Sequence, residues 1–151
     1  MTLEEPKFLV DDTLRRLGRW LRAAGYDTQI AADHVTEYYL LRQALNEGRL
    51  LLTKDEDLLE HRRAEGTVIL LDGDTLEEDA EELNALVPIN WQYNPLSRCM
   101  ACNAKITIDD EHSDAAYFCQ SCNQVFWEGA HSDRLRSQLL DWHKKFTSDP
   151  R

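Results

Sequence analysis

Apolar residues in the first 90 positions come in short runs separated by segments of helical period. Lys7–Val10 is an apolar run ending in two acids, Asp11 and Asp12, and predicts a buried strand. The spacing then predicts a helix over Thr13–Ala24, closed by Gly25. At about 100° per residue, Leu14, Leu17, Trp20, Leu21 and Ala24 share one face of it, and Arg15, Arg19 and Arg22 share the opposite one. Tyr26–Ile30 predicts a second strand, Val35–Asn46 a second helix ended by Gly48, and Arg49–Leu52 a third strand. Thr53 is placed to cap a third helix through Asp55–Arg62. Val68–Leu71 reads as a fourth strand. Leu76–Leu86 reads as a fourth helix, whose leading acids suit its N-terminal dipole.

Strand and helix thus alternate four times, which implies an α/β fold with a mostly parallel sheet and helices on both faces. Sites in such sheets form at the carboxyl ends of the strands. The pattern changes near residue 90. Val87–Ser97, with its prolines, asparagines and Trp91, reads as a packed linker. Beyond it, short strands at Lys105–Ile108 and Tyr117–Phe118 flank cysteines, and a last helix runs from Ser132 to Phe146. Leu135, Leu139, Trp142 and Phe146 form a stripe that docks that helix on the protein's own body. Residues 1–90 are expected to form one domain and 91–151 a second.

Composition narrows the class. The chain has 151 residues, 42% hydrophobic and 30% charged, which suits one or two globular domains and excludes a disulfide-packed toxin or a fibre. The longest apolar run, Ala115–Cys119, has five residues. A membrane helix needs about 20, so no membrane partner is expected. The N-terminus has no pattern of a secretory signal, and the expected location is cytoplasmic. Net charge is −11, which disfavours a non-specific nucleic-acid coat but allows a nucleic-acid enzyme with a local basic strip. The acid-rich segment Asp72–Glu82 reads as a solvated helix face.

All the cysteines lie in Cys99-x2-Cys102-x16-Cys119-x2-Cys122. Two CxxC knuckles at this separation match a tetrahedral Zn²⁺ site, and a four-thiolate site is closed, hence structural. A second pattern is the set of acids after strand ends: Asp11 after the first strand, Asp33 after the second, Asp55 and Asp57 after the third. Carboxylates converging at one sheet edge can hold Mg²⁺ or Mn²⁺ and support phosphodiester hydrolysis. The arginine stripe Arg15, Arg19, Arg22 begins one turn after Asp11 and would suit a nucleic-acid backbone.

The run Phe8-Leu-Val-Asp11-Asp-Thr-Leu14-Arg-Arg-Leu17-Gly-Arg-Trp20-Leu-Arg22-Ala-Ala-Gly25-Tyr-Asp27 resembles the opening of the Mut-seven C-terminal RNase domain family. Leu51-Leu-Thr53-Lys-Asp55 resembles its second block and Ser97-Arg98-Cys99-x-x-Cys102-Asn103 its third. Tyr117-Phe-Cys119-x-x-Cys122-x-x-Val-Phe126-Trp127-Glu128-Gly129-Ala-His131 resembles its fourth. The resemblance implies a PIN-like nuclease fold joined to a zinc ribbon and a C-terminal helix. It also implies a metal-dependent ribonuclease with RNA as substrate. Asp11, Asp33 and Asp55 would then be the metal acids, Thr53 would position Asp55, and Asp57 would be a further candidate. Met100 stands where the family usually has proline, and Asp12 where a small residue is usual.

Two other classes compete. A response-regulator receiver shares the Val-Asp11-Asp12 opening, but it requires an acid where Thr53 stands and a lysine after a fifth strand. A non-catalytic module, its ribbon binding RNA or a protein partner, would leave the acids as helix caps.

Overall fold

The structure, a computed structural model, describes residues 5–60, 64–109, 116–119, 121–122, 124–127 and 130–147. Four parallel strands, β1 (Phe8–Val10), β2 (Thr28–Ile30), β3 (Leu50–Thr53) and β4 (Val68–Leu70), pair in the order β2-β1-β3-β4. The helices are α1 (Arg15–Ala24), α2 (Glu37–Glu47), α3 (Leu76–Leu86) and α4 (Ala130–Thr147). An antiparallel sheet of β5 (Thr107–Asp109), β6 (Ala116–Cys119) and β7 (Gln124–Trp127) lies in the region of the cysteines. The predicted α/β class, cysteine-bearing ribbon and C-terminal helix are therefore present.

The chain forms two compact units: Met1–Arg19 with Tyr26–Ile89, and Trp20–Gly25 with Asn90–Arg151. In the first unit, β1 is the reason the sheet exists. Phe8, Leu9 and Val10 are all buried, as a central strand covered on both faces requires. Leu9 pairs in register with Leu51, and both join a cluster with Leu40, Leu41 and Ala44 of α2. Val10 points the other way and pairs with Ile30. There α1 approaches so closely that a Cβ on Gly18 would sit 2.7 Å from the Val10 side chain and 2.9 Å from Ile30. Helices thus cover both faces. The sheet's opposite edge is tied by Arg49, whose buried guanidinium donates to the Phe8 carbonyl and to the carboxylates of Asp27 and Glu47.

Boundaries differ from the sequence reading in informative ways. The first helix begins as a 3-10 turn, Asp12–Leu14, capped by the Asp11 side chain. The third predicted helix is a 3-10 segment, Glu56–Glu60, and positions 61 and 62 of its predicted range lie outside the described residues. The segment Asp72–Glu82 is not wholly solvated: Asp79 is buried, accepts from the Gly73 N–H and pairs with Lys54. In the second unit, Leu139 and Trp142 of α4 are buried, and Trp142 packs its ring 5.0 Å from Trp91 and 5.4 Å from Trp20. Among the described residues, no helix is long and apolar enough to cross a membrane.

Candidate active site

The strand order places a switch point between β1 and β3. From β1 the chain steps outward to β2, and from β3 it steps the other way to β4. Crossovers leave in opposite directions there, so the carboxyl ends of β1 and β3 border a natural crevice. Asp11 follows β1, and Thr53 ends β3.

Thr53 joins the two strand ends. It is fully buried, and its hydroxyl donates to Asp11 Oδ2 at 2.6 Å while accepting from the Asp55 N–H at 3.0 Å. Asp11 Oδ1 accepts from the Thr13 N–H at 2.7 Å and the Thr13 hydroxyl at 2.6 Å. A carboxylate has about four acceptor positions. Three of those on Asp11 are filled by the protein, so its orientation is fixed with one left over. Asp55 Oδ1 accepts from the Asp57 N–H at 2.9 Å, which folds the loop so that both acids point together.

Glu37, Asp55 and Asp57 each bring a carboxylate oxygen within 4.8 Å of the others. Glu37 and Asp55 line an open cleft of about 820 Å³, together with Asp11, Tyr38 and Lys54. Three hard oxygen donors this close, beside a fourth acid, fit a divalent cation such as Mg²⁺ or Mn²⁺. The cluster's electrostatics agree. The hydrogen bond that Glu37 shares with Asp55 raises its pKa to about 7, with desolvation and the charges of Asp55, Asp57 and Asp11 adding to the effect. The same hydrogen bond lowers the pKa of Asp55. Two carboxylates in contact hold a proton between them when no cation is there to do so.

Each residue expected from the sequence can now be located. Asp11, Thr53 and Asp55 are linked as described, and Asp57 joins the acid cluster. Asp33 does not. It is exposed, pairs with Arg15, and that guanidinium lowers its pKa. Arg15 and Arg19 are exposed. Arg22, expected on the same solvent strip, is instead buried, and it donates to the Met100 carbonyl at 2.9 Å. Trp20–Gly25, the end of α1, belongs to the second unit, and within that unit Arg22 meets Met100. The sequence reading passed over Glu37, the first residue of α2, and Lys54, set between Thr53 and Asp55. Lys54 Nζ is held by the Gly73 carbonyl and by Asp79 while it lines the cleft.

In the second unit, Cys99, Cys102, Cys119 and Cys122 bring their sulfurs within 4.8 Å of one another, and none forms a disulfide. Cys99 and Cys122 are 3.8 Å apart, and Cys102 and Cys119 are 3.5 Å apart. Tetrahedral Zn–S bonds of 2.3 Å require sulfurs about 3.8 Å apart, so the cluster is zinc-sized. The first knuckle is a tight turn. Asn103 takes a left-handed φ of 77° and returns its N–H to the Cys99 carbonyl. Without metal the thiols compete for protons: the contact with Cys102 pushes Cys122 up to about 12, and desolvation raises Cys99.

The model of the Mut7-C RNAse domain matches residues 6–139. The chain belongs to the Mut7-C RNAse domain family. The matched range contains both the acidic cleft and the cysteine cluster. No curated protein and no solved structure matches the chain.

Proposed function

We propose that this Mut7-C domain is a divalent-metal-dependent ribonuclease that hydrolyses RNA phosphodiester bonds in the cleft of Asp11, Glu37, Asp55 and Asp57. The observation that carries the reading is the convergence of Glu37, Asp55 and Asp57 beside Asp11 at the sheet's switch point, in a family described as an RNAse domain. Asp11, Glu37, Asp55 and Asp57 would hold Mg²⁺ or Mn²⁺. A bound ion of this kind lowers the pKa of its water and offsets phosphate charge.

The chain's own residues do the rest. Thr53 and Thr13 hold the Asp11 carboxylate in one orientation, so no rotational freedom is lost there when substrate arrives. Lys54, fixed by Asp79, keeps an ammonium at the cleft wall, where it can meet a phosphate oxygen. Arg15 and Arg19 supply exposed positive charge on a chain of net charge −11, whose remaining surface repels RNA. Zn²⁺ in the four-cysteine cluster is structural in this account, and a protein partner could use the ribbon surface.

Two expected outcomes follow from the charges. Replacing Arg15 or Arg19 by Met should weaken RNA binding and reduce the slope of log affinity against log salt by about one unit or less each. Arg22→Met should instead lower thermal stability and leave the slope unchanged, because its guanidinium is buried on a backbone carbonyl. Binding titrations at several salt concentrations, with melting curves, separate the two. Equal slopes for all of these variants and the wild type would remove the arginines from the RNA path.

The second outcome concerns protons. Glu37 holds a proton until about pH 7 in the metal-free protein, and a cation requires the carboxylate form. Mn²⁺ affinity should therefore rise by up to about tenfold per pH unit below 7 and level off above it. Calorimetric titrations in two buffers of different ionisation enthalpy should register proton release at pH 6 and none at pH 8. Stability runs the opposite way. The folded pKa of Glu37 lies above its ordinary value of 4.5, so the metal-free fold should lose stability as pH rises from 4.5 to about 7. Glu37→Gln should abolish both dependences. Proton release unchanged in that variant would assign the proton elsewhere.

A further inference from the structure

Beside the acid cluster stands a feature that metal chemistry does not use. Tyr38 and Tyr39 follow Glu37 at the start of α2, with 58% and 62% of their surfaces exposed. Large aromatic rings are usually buried, and two adjacent exposed ones, the first of them at a polar cleft, call for a reason. Tyr38 itself lines the cleft. The two rings meet edge to face, 5.7 Å apart at 77°. In that arrangement one ring keeps both faces open and the other keeps one. Arg42, also exposed, lies one helical turn onward, four residues from Tyr38 and three from Tyr39. Beginning at the cleft with Tyr38, α2 therefore presents flat aromatic surface followed by a guanidinium.

We propose that Tyr38 and Tyr39 form a stacking platform for unpaired RNA bases, with Arg42 contacting the adjoining phosphate. The cleft's substrate is then single-stranded. This rests on the ribonuclease reading for its choice of nucleic acid. Ring faces recognise bases because every base has a π-face, whereas bases inside a duplex are already stacked and cannot reach the rings. The neighbouring acids repel a bare phosphate chain. Affinity here must come from the bases and from Arg42, and this distinguishes the platform from a general phosphate groove. A protein partner docking through the same tyrosines would show no dependence on nucleobases.

The test is binding of labelled RNA to the zinc-loaded full chain with no Mn²⁺ or Mg²⁺ added, so that nothing is cut. The probes are a single-stranded oligoribonucleotide, the same length of abasic ribose-phosphate chain, and a blunt duplex. The wild type should prefer the single strand over both others. Tyr38→Ala should weaken single-strand binding by about 5- to 150-fold, the span measured for loss of one stacked base, and should bind the abasic chain as the wild type does. Tyr38→Phe keeps the ring and should stay close to wild type. Mn²⁺ titration of each variant shows whether the acid cluster is intact. Base-dependent binding lost in Tyr38→Ala and kept in Tyr38→Phe supports the platform whether or not the protein cleaves RNA. RNA cleavage by a wild type that binds base-bearing and abasic chains equally overturns the platform and leaves the nuclease reading standing. Failure to bind any single strand overturns the platform as well.

Discussion

Asp11→Asn should leave a folded protein that hydrolyses RNA roughly a hundredfold more slowly or worse, since removal of even an outer-shell partner of a metal site costs about 10- to 100-fold. The substitution keeps volume and one acceptor oxygen but replaces the other oxygen by a donor. Both oxygens of Asp11 now accept, from Thr13 on one side and Thr53 on the other. If the Thr53 hydroxyl turns to accept from the new amide as well as from the Asp55 N–H, its own proton loses the acceptor it now has in Asp11. The mismatch costs about 1–3 kcal/mol. Removing one negative charge from the acid cluster offsets part of that, because the Asp11 charge contributes to the raised pKa of Glu37. The melting transition should therefore remain cooperative while metal affinity and rate fall together. Asp55→Asn should be at least as severe, since Asp55 also shares the hydrogen bond with Glu37. Asp33→Asn should have a small effect, confined to RNA binding through its pairing with Arg15. A large loss of rate in Asp33→Asn alone would mean that the loop carries Asp33 into the site during turnover.

Loss of zinc should be the largest effect on stability. Purified reduced protein should contain about one zinc per chain. Structural zinc in small cysteine modules contributes roughly 10–16 kcal/mol of apparent binding energy, which is folding energy there. The sulfurs stand at the spacing of tetrahedral zinc coordination, and without metal the contact with Cys102 raises the Cys122 thiol. Removal by a strong chelator, or Cys99→Ser at the buried corner of the cluster, should unfold β5–β7. The aromatic cluster of Trp20, Trp91 and Trp142 belongs to the same unit, so near-ultraviolet dichroism should report the loss. Fresh protein that is folded and free of zinc would refute this account of the ribbon.

How far the sequence could be read differs from element to element. Helix α3 was fully legible, because Thr75 and Glu78 form a capping box ahead of a regular apolar period. Strand β7 was not, although Val125-Phe-Trp127 is an apolar run like that of β1. The four cysteines could be grouped from spacing alone, since a knuckle is a local turn. The acids were harder. Asp11 and Asp55 lie at the ends of strands that period and burial define. Between β2 and α2, however, the chain turns through His34 at a φ of 65°. Asp33 falls before that turn and Glu37 after it, and no periodicity reveals which of the two faces the cleft. Arg22 shows the same limit. Helical spacing assigns it a face, but only the tertiary structure shows that this face is covered. The role of Thr53 was legible as a position. Its double hydrogen bond to the two strand ends required coordinates.

The most direct measurement is a time course of labelled single-stranded RNA with the zinc-loaded wild type, Glu37→Gln and Asp33→Asn, each with Mn²⁺ and with no divalent metal added. The account predicts cleavage by the wild type and by Asp33→Asn only when Mn²⁺ is present, with Glu37→Gln losing most of the rate. A wild type that cuts no RNA in Mn²⁺ or Mg²⁺, yet binds RNA or a protein partner as well after Asp11→Asn as before, would contradict it. The chain would then be an interaction module whose acids cap helices.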